Sequence, residues 1–224
     1  QFIALLRAVL ARRQIIVFDE ATANLDIESE NSILEATDKL LDYQTSIVIA
    51  HRLETILNSE KIIVMANQSH SNKCIILNKA SDNIGSADGL VTKSSELVLG
   101  ITTADCIPLI FFDNQNGIIG ICHAGWKGLS NGIIENTIEK MIKIGSSTQF
   151  IKVIIGPCIR QYSYEVNNDF LNKFNLPMNN PYSSLKKNKL FFNLPKFATN
   201  IIKQYKLSSI KDFKKDTYMN SNYF

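Results

Sequence analysis

The stretch TADCIPLIFFDNQNGIIGICHAGWKG, residues 103–128, places two apolar runs on either side of the turn-forming tetrapeptide Asn114-Gln-Asn-Gly117. Two strand-like runs around such a turn read as a β-hairpin. With the turn centred between Gln115 and Asn116, His123 lies opposite Pro108 and Cys106 lies opposite Gly125. The thiol and the imidazole then stand at the same open end of the hairpin, offset by two residues or roughly 7 Å. Zinc accepts thiolate sulfur at about 2.3 Å and imidazole nitrogen at about 2.0–2.1 Å, so one Cys and one His at a hairpin mouth make half of a site.

The chain has three histidines, His51, His70 and His123. His70 lies in Asn67-Gln-Ser-His-Ser-Asn-Lys73, just before a strand-like run, and is available as a third donor. His70, Cys106 and His123 together would leave a fourth position open for water or substrate, the pattern of a catalytic zinc. Spacing alone leaves two bland alternatives open: a cysteine after a strand is often a buried small hydrophobe, and a histidine at a strand end is often only hydrogen-bonded.

Five motifs occur in one ordered series: Asn67–Lys73, Ala-Asp-Gly-Leu-Val-Thr at 87–92, Thr-Ala-Asp-Cys-Ile-Pro at 103–108, His-Ala-Gly-Trp-Lys-Gly at 123–128 and Ile-Gly-Pro-Cys-Ile at 155–159. Tyr164-Glu-Val166 followed by Phe170 continues it. From about residue 66 to the end the chain resembles the purine nucleoside phosphorylase family formerly called laccase-domain or multicopper polyphenol oxidase proteins. The resemblance implies that His70, Cys106 and His123 bind a catalytic zinc. It implies cleavage of adenosine, inosine or methylthioadenosine by phosphate to the free base and ribose 1-phosphate, together with deamination of adenosine. Asp105 beside Cys106 and Gln68 near His70 are candidates for proton transfer or for orienting the ligands, with turn capping as the competing role. Lys127 stands where the family commonly has arginine, which keeps the charge and loses the bidentate fork.

The oxidase name makes its own demand. A multicopper oxidase needs a mononuclear copper and a three-copper cluster, which consume many histidines, and residues 66–224 contain two. A single His-His-Cys copper centre suits the same donors, so polyphenol oxidation is a minor activity at most. A different class of enzyme would use Cys106 as a thiol nucleophile with His123 as its base; such a thiol alkylates readily with iodoacetamide, whereas a zinc-bound thiolate is tied up.

Residues 1–65 point elsewhere. The run Ile15–Phe18 ends in Asp19-Glu20, Ala23–Asp26 follows, and His51 comes after the apolar run Ser46–Ala50. In this order they resemble the Walker B pair, D-loop and switch histidine of an ABC transporter ATPase, with Gln1–Ala11 like the helix after its signature loop. No Gly-x-x-x-x-Gly-Lys-Ser/Thr occurs in the sequence, so no P-loop cradles phosphates for Asp19 and Glu20 to act on. The segment reads as a remnant without its own activity, joined abruptly near Met65–Gln68. The second part reads as truncated at both ends relative to its family, and an inactive fusion relic is the non-enzymatic alternative.

The fold expected is α+β for residues 66–224, layered mixed β-sheets with flanking helices, preceded by an incomplete α/β ATPase fragment over 1–65. Strands are expected at 15–18, 46–50, 61–65, 73–77, 96–102, 107–113, 117–123 and 151–155, with a helix at about 28–41. A second helix, Leu129–Ile144, would bury Leu129, Ile133, Ile134, Ile138, Met141 and Ile142 on one face, with Ser130 or Asn131 as N-cap and Gly145 after its end. A hydrophobic content of 45% in 224 residues is ample for a core. A net charge of +3 with scattered lysines gives no stripe for nucleic acid, and no apolar run is long enough for a bilayer. The expected partners are purine nucleosides and phosphate, with a homo-oligomer compatible. Cysteines 74, 106, 122 and 158 form no Cys-x-x-Cys pair, which fits reduced thiols in a cytoplasmic protein.

Overall fold

The computed structural model describes residues 15–19, 45–49, 61–80 and 84–219. The chain divides into two compact units, Gln1–Glu60 and Lys61–Phe224. In the first, strands β1 (Ile15–Asp19) and β2 (Thr45–Ile49) pair in parallel, with Asp19 opposite Ile49. The expected helices at 1–11 and 28–41, Glu20, Ala23–Asp26 and His51 lie outside the described residues.

The second unit begins earlier in the sequence than the motifs imply. Its elements are β3 (Ile62–Met65), β4 (Cys74–Leu77), β5 (Gly89–Thr92), β6 (Leu97–Gly100), β7 (Ile107–Asp113) and β8 (Ile118–Ala124), then helices α1 (Trp126–Ser130) and α2 (Ile133–Lys143). There follow β9 (Lys152–Ile155), β10 (Glu165–Val166), α3 (Asn168–Asn172), β11 (Ser183–Lys186), β12 (Lys189–Phe192), α4 (Leu194–Gln204) and β13 (Ser209–Asp212). Strand β3, grouped with the first segment on sequence, pairs in parallel with β6 inside the second unit. Its Val64 packs with Leu77, Leu90 and Leu97, and that burial, rather than the motif boundary, decides where it belongs.

A mixed six-stranded sheet has the order β13-β9-β7-β8-β5-β4. The outer pairs β13–β9 and β5–β4 are parallel and the inner pairs antiparallel. A three-stranded antiparallel sheet, β10-β12-β11, and the β3–β6 pair complete an α+β architecture of several sheets and few helices. Along β7, Ile107, Leu109 and Phe111 are fully buried while Ile110 is 42% exposed. That period of two turns one face of the sheet toward α2, whose Ile133, Ile134, Ile138 and Met141 are buried in the same cluster. Each such side chain contributes about 1.5–3 kcal/mol by leaving water.

The expected single helix over 129–144 is two helices. The chain breaks at Asn131–Gly132, where Gly132 (φ 90°) caps α2 without a side-chain hydrogen bond and Ser130 Oγ donates instead to the Lys127 carbonyl at 3.0 Å. Leu129 is buried from α1, Thr137 takes a buried place on α2, and Ile142 is 42% exposed rather than part of the core. Gly145 follows the helix with φ 110°, and Ser146 N–H donates to the Met141 carbonyl at 3.1 Å, closing the C-terminus as expected. The break also serves the loop that carries His70. Asn72 Nδ2 donates to the freed Asn131 carbonyl, and Asn136 Nδ2 donates to the Asn72 carbonyl, both at 2.7 Å.

Candidate metal centre

The hairpin has the expected register: Pro108 pairs with His123 and Asp113 with Ile118. Asp113 Oδ1 accepts from the N–H groups of Gln115 and Asn116, and Gly117 takes φ 66°, so the tetrapeptide turn fixes which residues reach the open end. There Ile107 pairs with Ala124, which leaves Cys106 beside Gly125. A Cβ added to Gly125 would lie 3.0 Å from both Cys106 Sγ and His70 Cδ2, so any larger residue would press on the two side chains where they converge.

One donor atom from each of His70, Cys106 and His123 lies within 4.8 Å of the other two. The two imidazoles meet edge to face with centroids 4.7 Å apart, and Cys106 Sγ is 4.0 Å from His70 Nε2. Tetrahedral sulfur and nitrogen donors at zinc bond lengths stand roughly 3.5 Å apart, so the arrangement needs only a small contraction to close on an ion. His123 is buried, Cys106 is half-buried and His70 is exposed. The centre therefore has an inner wall and an outer, solvent-facing side.

Asp88 ties the two histidines together. Its carboxylate is fully buried and accepts from the N–H groups of Ser69 (3.2 Å), His70 (3.0 Å) and Ser71 (2.6 Å), from Ser71 Oγ (2.7 Å) and from His123 Nδ1 (2.8 Å). Burial alone pushes a carboxylic acid up, but the hydrogen bonds from His123, Ser71 and Ser69 outweigh it and hold Asp88 down at about 2. An ionised carboxylate only accepts, so His123 donates through Nδ1–H, which leaves Nε2 as the nitrogen that a metal can take. The three backbone bonds also hold His70 in the left-handed region (φ 58°), where a non-glycine residue is strained. Asp88 lies in the 87–92 motif but carries no local sign of its role: an aspartate before glycine reads as a turn former, and the histidine it reaches is 35 residues away.

The other two candidates are placed differently from one another. Gln68 Nε2 donates to the Thr102 carbonyl at 2.8 Å while its Oε1 accepts from Thr102 N–H at 2.7 Å. Both ends of its amide are thus engaged in clamping the His70 loop to the Cys106 loop, an orienting position with no free proton-transfer atom. Asp105 is half-buried, and its Oδ1 accepts from Thr217 Oγ1 at 2.6 Å. Among the described residues no hydrogen bond engages its Oδ2. Lys127 extends over the Trp126 ring, 5.6 Å from the centroid, which fixes the amphipathic side chain beside the hairpin mouth.

All four cysteines are free thiols. Burial raises Cys74 to about 11 and Cys158 to about 12. Cys106 is raised as well, by burial and then by the negative charges of Asp105 and Asp88. A thiol in acidic surroundings lacks the neighbouring cation that activates a cysteine nucleophile, whereas the same negative field favours a bound cation. Two imidazoles and a thiolate are a donor set that suits zinc or copper, and the residues present fit such an ion.

Residues 34–224 match the family described as multi-copper polyphenol oxidoreductase laccase, and the chain belongs to that family. The match begins within the segment likened to an ATPase, whose resemblance rests on its own motifs alone. A purine nucleoside phosphorylase of Rickettsia prowazekii is 36% identical over 178 residues, 77% of this chain and 73% of the relative. An adenosine deaminase from an unknown prokaryotic organism is 32% identical over 50% of this chain and 46% of its own length. The crystal structure of a Neisseria meningitidis protein shares the fold with a TM-score of 0.63 at 22% identity, covering 88% of this chain and 74% of that one. No helix among the described residues is long and apolar enough to cross a membrane.

Proposed function

We propose that His70, Cys106 and His123 hold zinc and that the chain is an enzyme of purine nucleosides, cleaving adenosine, inosine or methylthioadenosine with phosphate and deaminating adenosine. The observation that carries this reading is the convergence of two histidines and one cysteine on a centre with a buried, hydrogen-bonded wall and an exposed side. The names of relatives supply the substrate class. Zinc held there contributes Lewis acidity with one position left for an exchangeable ligand.

The chain's own residues then divide the work. Asp88 orients His123 and the His70 loop, Gln68 braces that loop against Thr102, and Gly125 keeps the donors' approach clear. Asp105, with one carboxylate oxygen held by Thr217, is the group at the rim that holds or moves a proton. In phosphorolysis the bond from C1′ to the base nitrogen breaks, a phosphate oxygen bonds to C1′, and the departing base takes up a proton. In deamination a water oxygen bonds to C6 and the amino group leaves as ammonia. Copper on the same donors with weak phenol oxidation is the secondary reading, limited by a chain with three histidines in all.

The test is a chromatographic product assay on adenosine with and without phosphate, comparing the chain with Cys106→Ala. Adenine that forms only with phosphate, or inosine that forms without it, and loss of either in the variant support the proposal. A folded, zinc-loaded protein that forms neither product sinks it.

A further inference from the structure

Cys106 is presented by a strained turn. Its N–H donates to the Ala104 carbonyl at 2.9 Å, an i to i+2 bond around Asp105, which has φ 71°. A γ-turn with positive φ at a non-glycine residue is rare and strained, and it persists where the surroundings over-determine it. Two bonds from distant parts of the chain hold this one. Ile159 N–H donates to the Asp105 carbonyl at 2.9 Å, and Thr217 Oγ1 donates to the Asp105 carboxylate at 2.6 Å.

Thr217 is itself buried and laced in place. The segment from Asp212 to Thr217 runs along the loop that follows β9: Cys158 N–H donates to the Lys215 carbonyl, Thr217 N–H donates to the Cys158 carbonyl, and Ser163 Oγ donates to Asp216 at 2.6 Å. Arg160 forks onto Asp212 at 2.9 and 2.7 Å and also donates to the Lys215 carbonyl. These bonds fix the segment that brings the Thr217 hydroxyl to Asp105, the residue before Cys106.

We propose that Thr217 is a positioning residue for the metal centre: its hydroxyl holds Asp105 in the left-handed turn that aims the Cys106 sulfur at His70 and His123. This rests on the reading of the three donors as a metal site, not on the nucleoside chemistry. Removing the hydroxyl releases the turn toward ordinary extended backbone, and the sulfur moves away from the imidazoles.

The test uses the whole chain and metal alone. Zinc affinity is measured by competition with a chromophoric chelator, and cobalt titration reads the thiolate-to-cobalt absorption band. Thr217→Val, which keeps the shape without the hydroxyl, is expected to weaken zinc binding roughly tenfold, the low end for partners behind a ligand, and to weaken the cobalt band. Thr217→Ser is expected to restore both. Wild-type affinity in Thr217→Val, or equal losses in the Ser and Val variants, overturns the proposal while leaving the metal site standing. Failure of the wild type to bind zinc or cobalt overturns both. Should Thr217→Val not fold, Asp105→Ala breaks the same bond from the other side, and its retention of wild-type affinity is equally fatal.

Discussion

The Asp88 carboxylate and the His123 imidazole meet at 2.8 Å with both side chains buried, and the same carboxylate receives three successive backbone N–H groups from the segment carrying His70. One side chain therefore governs two of the three donors.

Asp88→Asn replaces an acceptor oxygen by a donor that faces other donors. Zinc affinity is expected to fall about 10–100-fold, and stability without metal by about 2–3 kcal/mol. Chelator competition and urea unfolding in EDTA read the two effects separately. Unchanged affinity would mean that the histidines hold their positions unaided.

Cys106→Ala tests the centre through stability. If the proposed centre holds zinc, zinc at 100 times Kd is expected to raise the wild-type melting temperature by on the order of 5–10 °C. The variant is expected to show no zinc-dependent rise while melting near the wild type in EDTA. An equal rise in both proteins would place zinc elsewhere.

Gly125→Ala puts a methyl 3.0 Å from Cys106 Sγ and His70 Cδ2. Weaker metal binding with little change in metal-free stability is expected, because the crowding falls on two side chains at the site's open side. Calorimetric zinc titration checks it.

Asp113 supplies a pH test away from the donors. Burial pushes its carboxyl up, but hydrogen bonds from Ser146 and from Asn116 and Gln115 prevail and leave it below the usual carboxylate range. A depressed folded-state pKa gives stability that is present above the unfolded value of about 3.9 and is lost as pH falls through the folded value. Asp113→Asn is expected to cost about 1–3 kcal/mol at pH 7, and the gap should shrink below about pH 4. A gap that holds constant down to pH 2 in urea unfolding would contradict this account.

The hairpin was legible because period-two burial and a four-residue turn fix its register, and with it the positions of Cys106 and His123. Helix α2 was legible in its core face, but Gly132 breaks the chain where a continuous apolar pattern runs on. Beyond residue 160 the elements were not legible from the periodicity. The β11–β12 hairpin turns on Lys187 and Asn188, both at positive φ (50° and 59°), without the glycine that marks such turns. Helix α4 did carry a signal, Asn193 accepting from Lys196 N–H with Pro195 in the first turn. Asp88 and Thr217 were beyond reach because their partners lie 35 and 112 residues away.

His70 and Asp105 both sit in left-handed backbone at the centre, each restrained by groups remote in sequence. Two of the donors, His70 directly and Cys106 through the turn before it, are thus held cocked, like latches under tension, by residues other than themselves. A descendant of this chain could keep His70, Cys106 and His123 letter for letter and still let the centre fall open, because what it inherits at those three positions is chemistry, and what it inherits at Asp88 and Thr217 is aim.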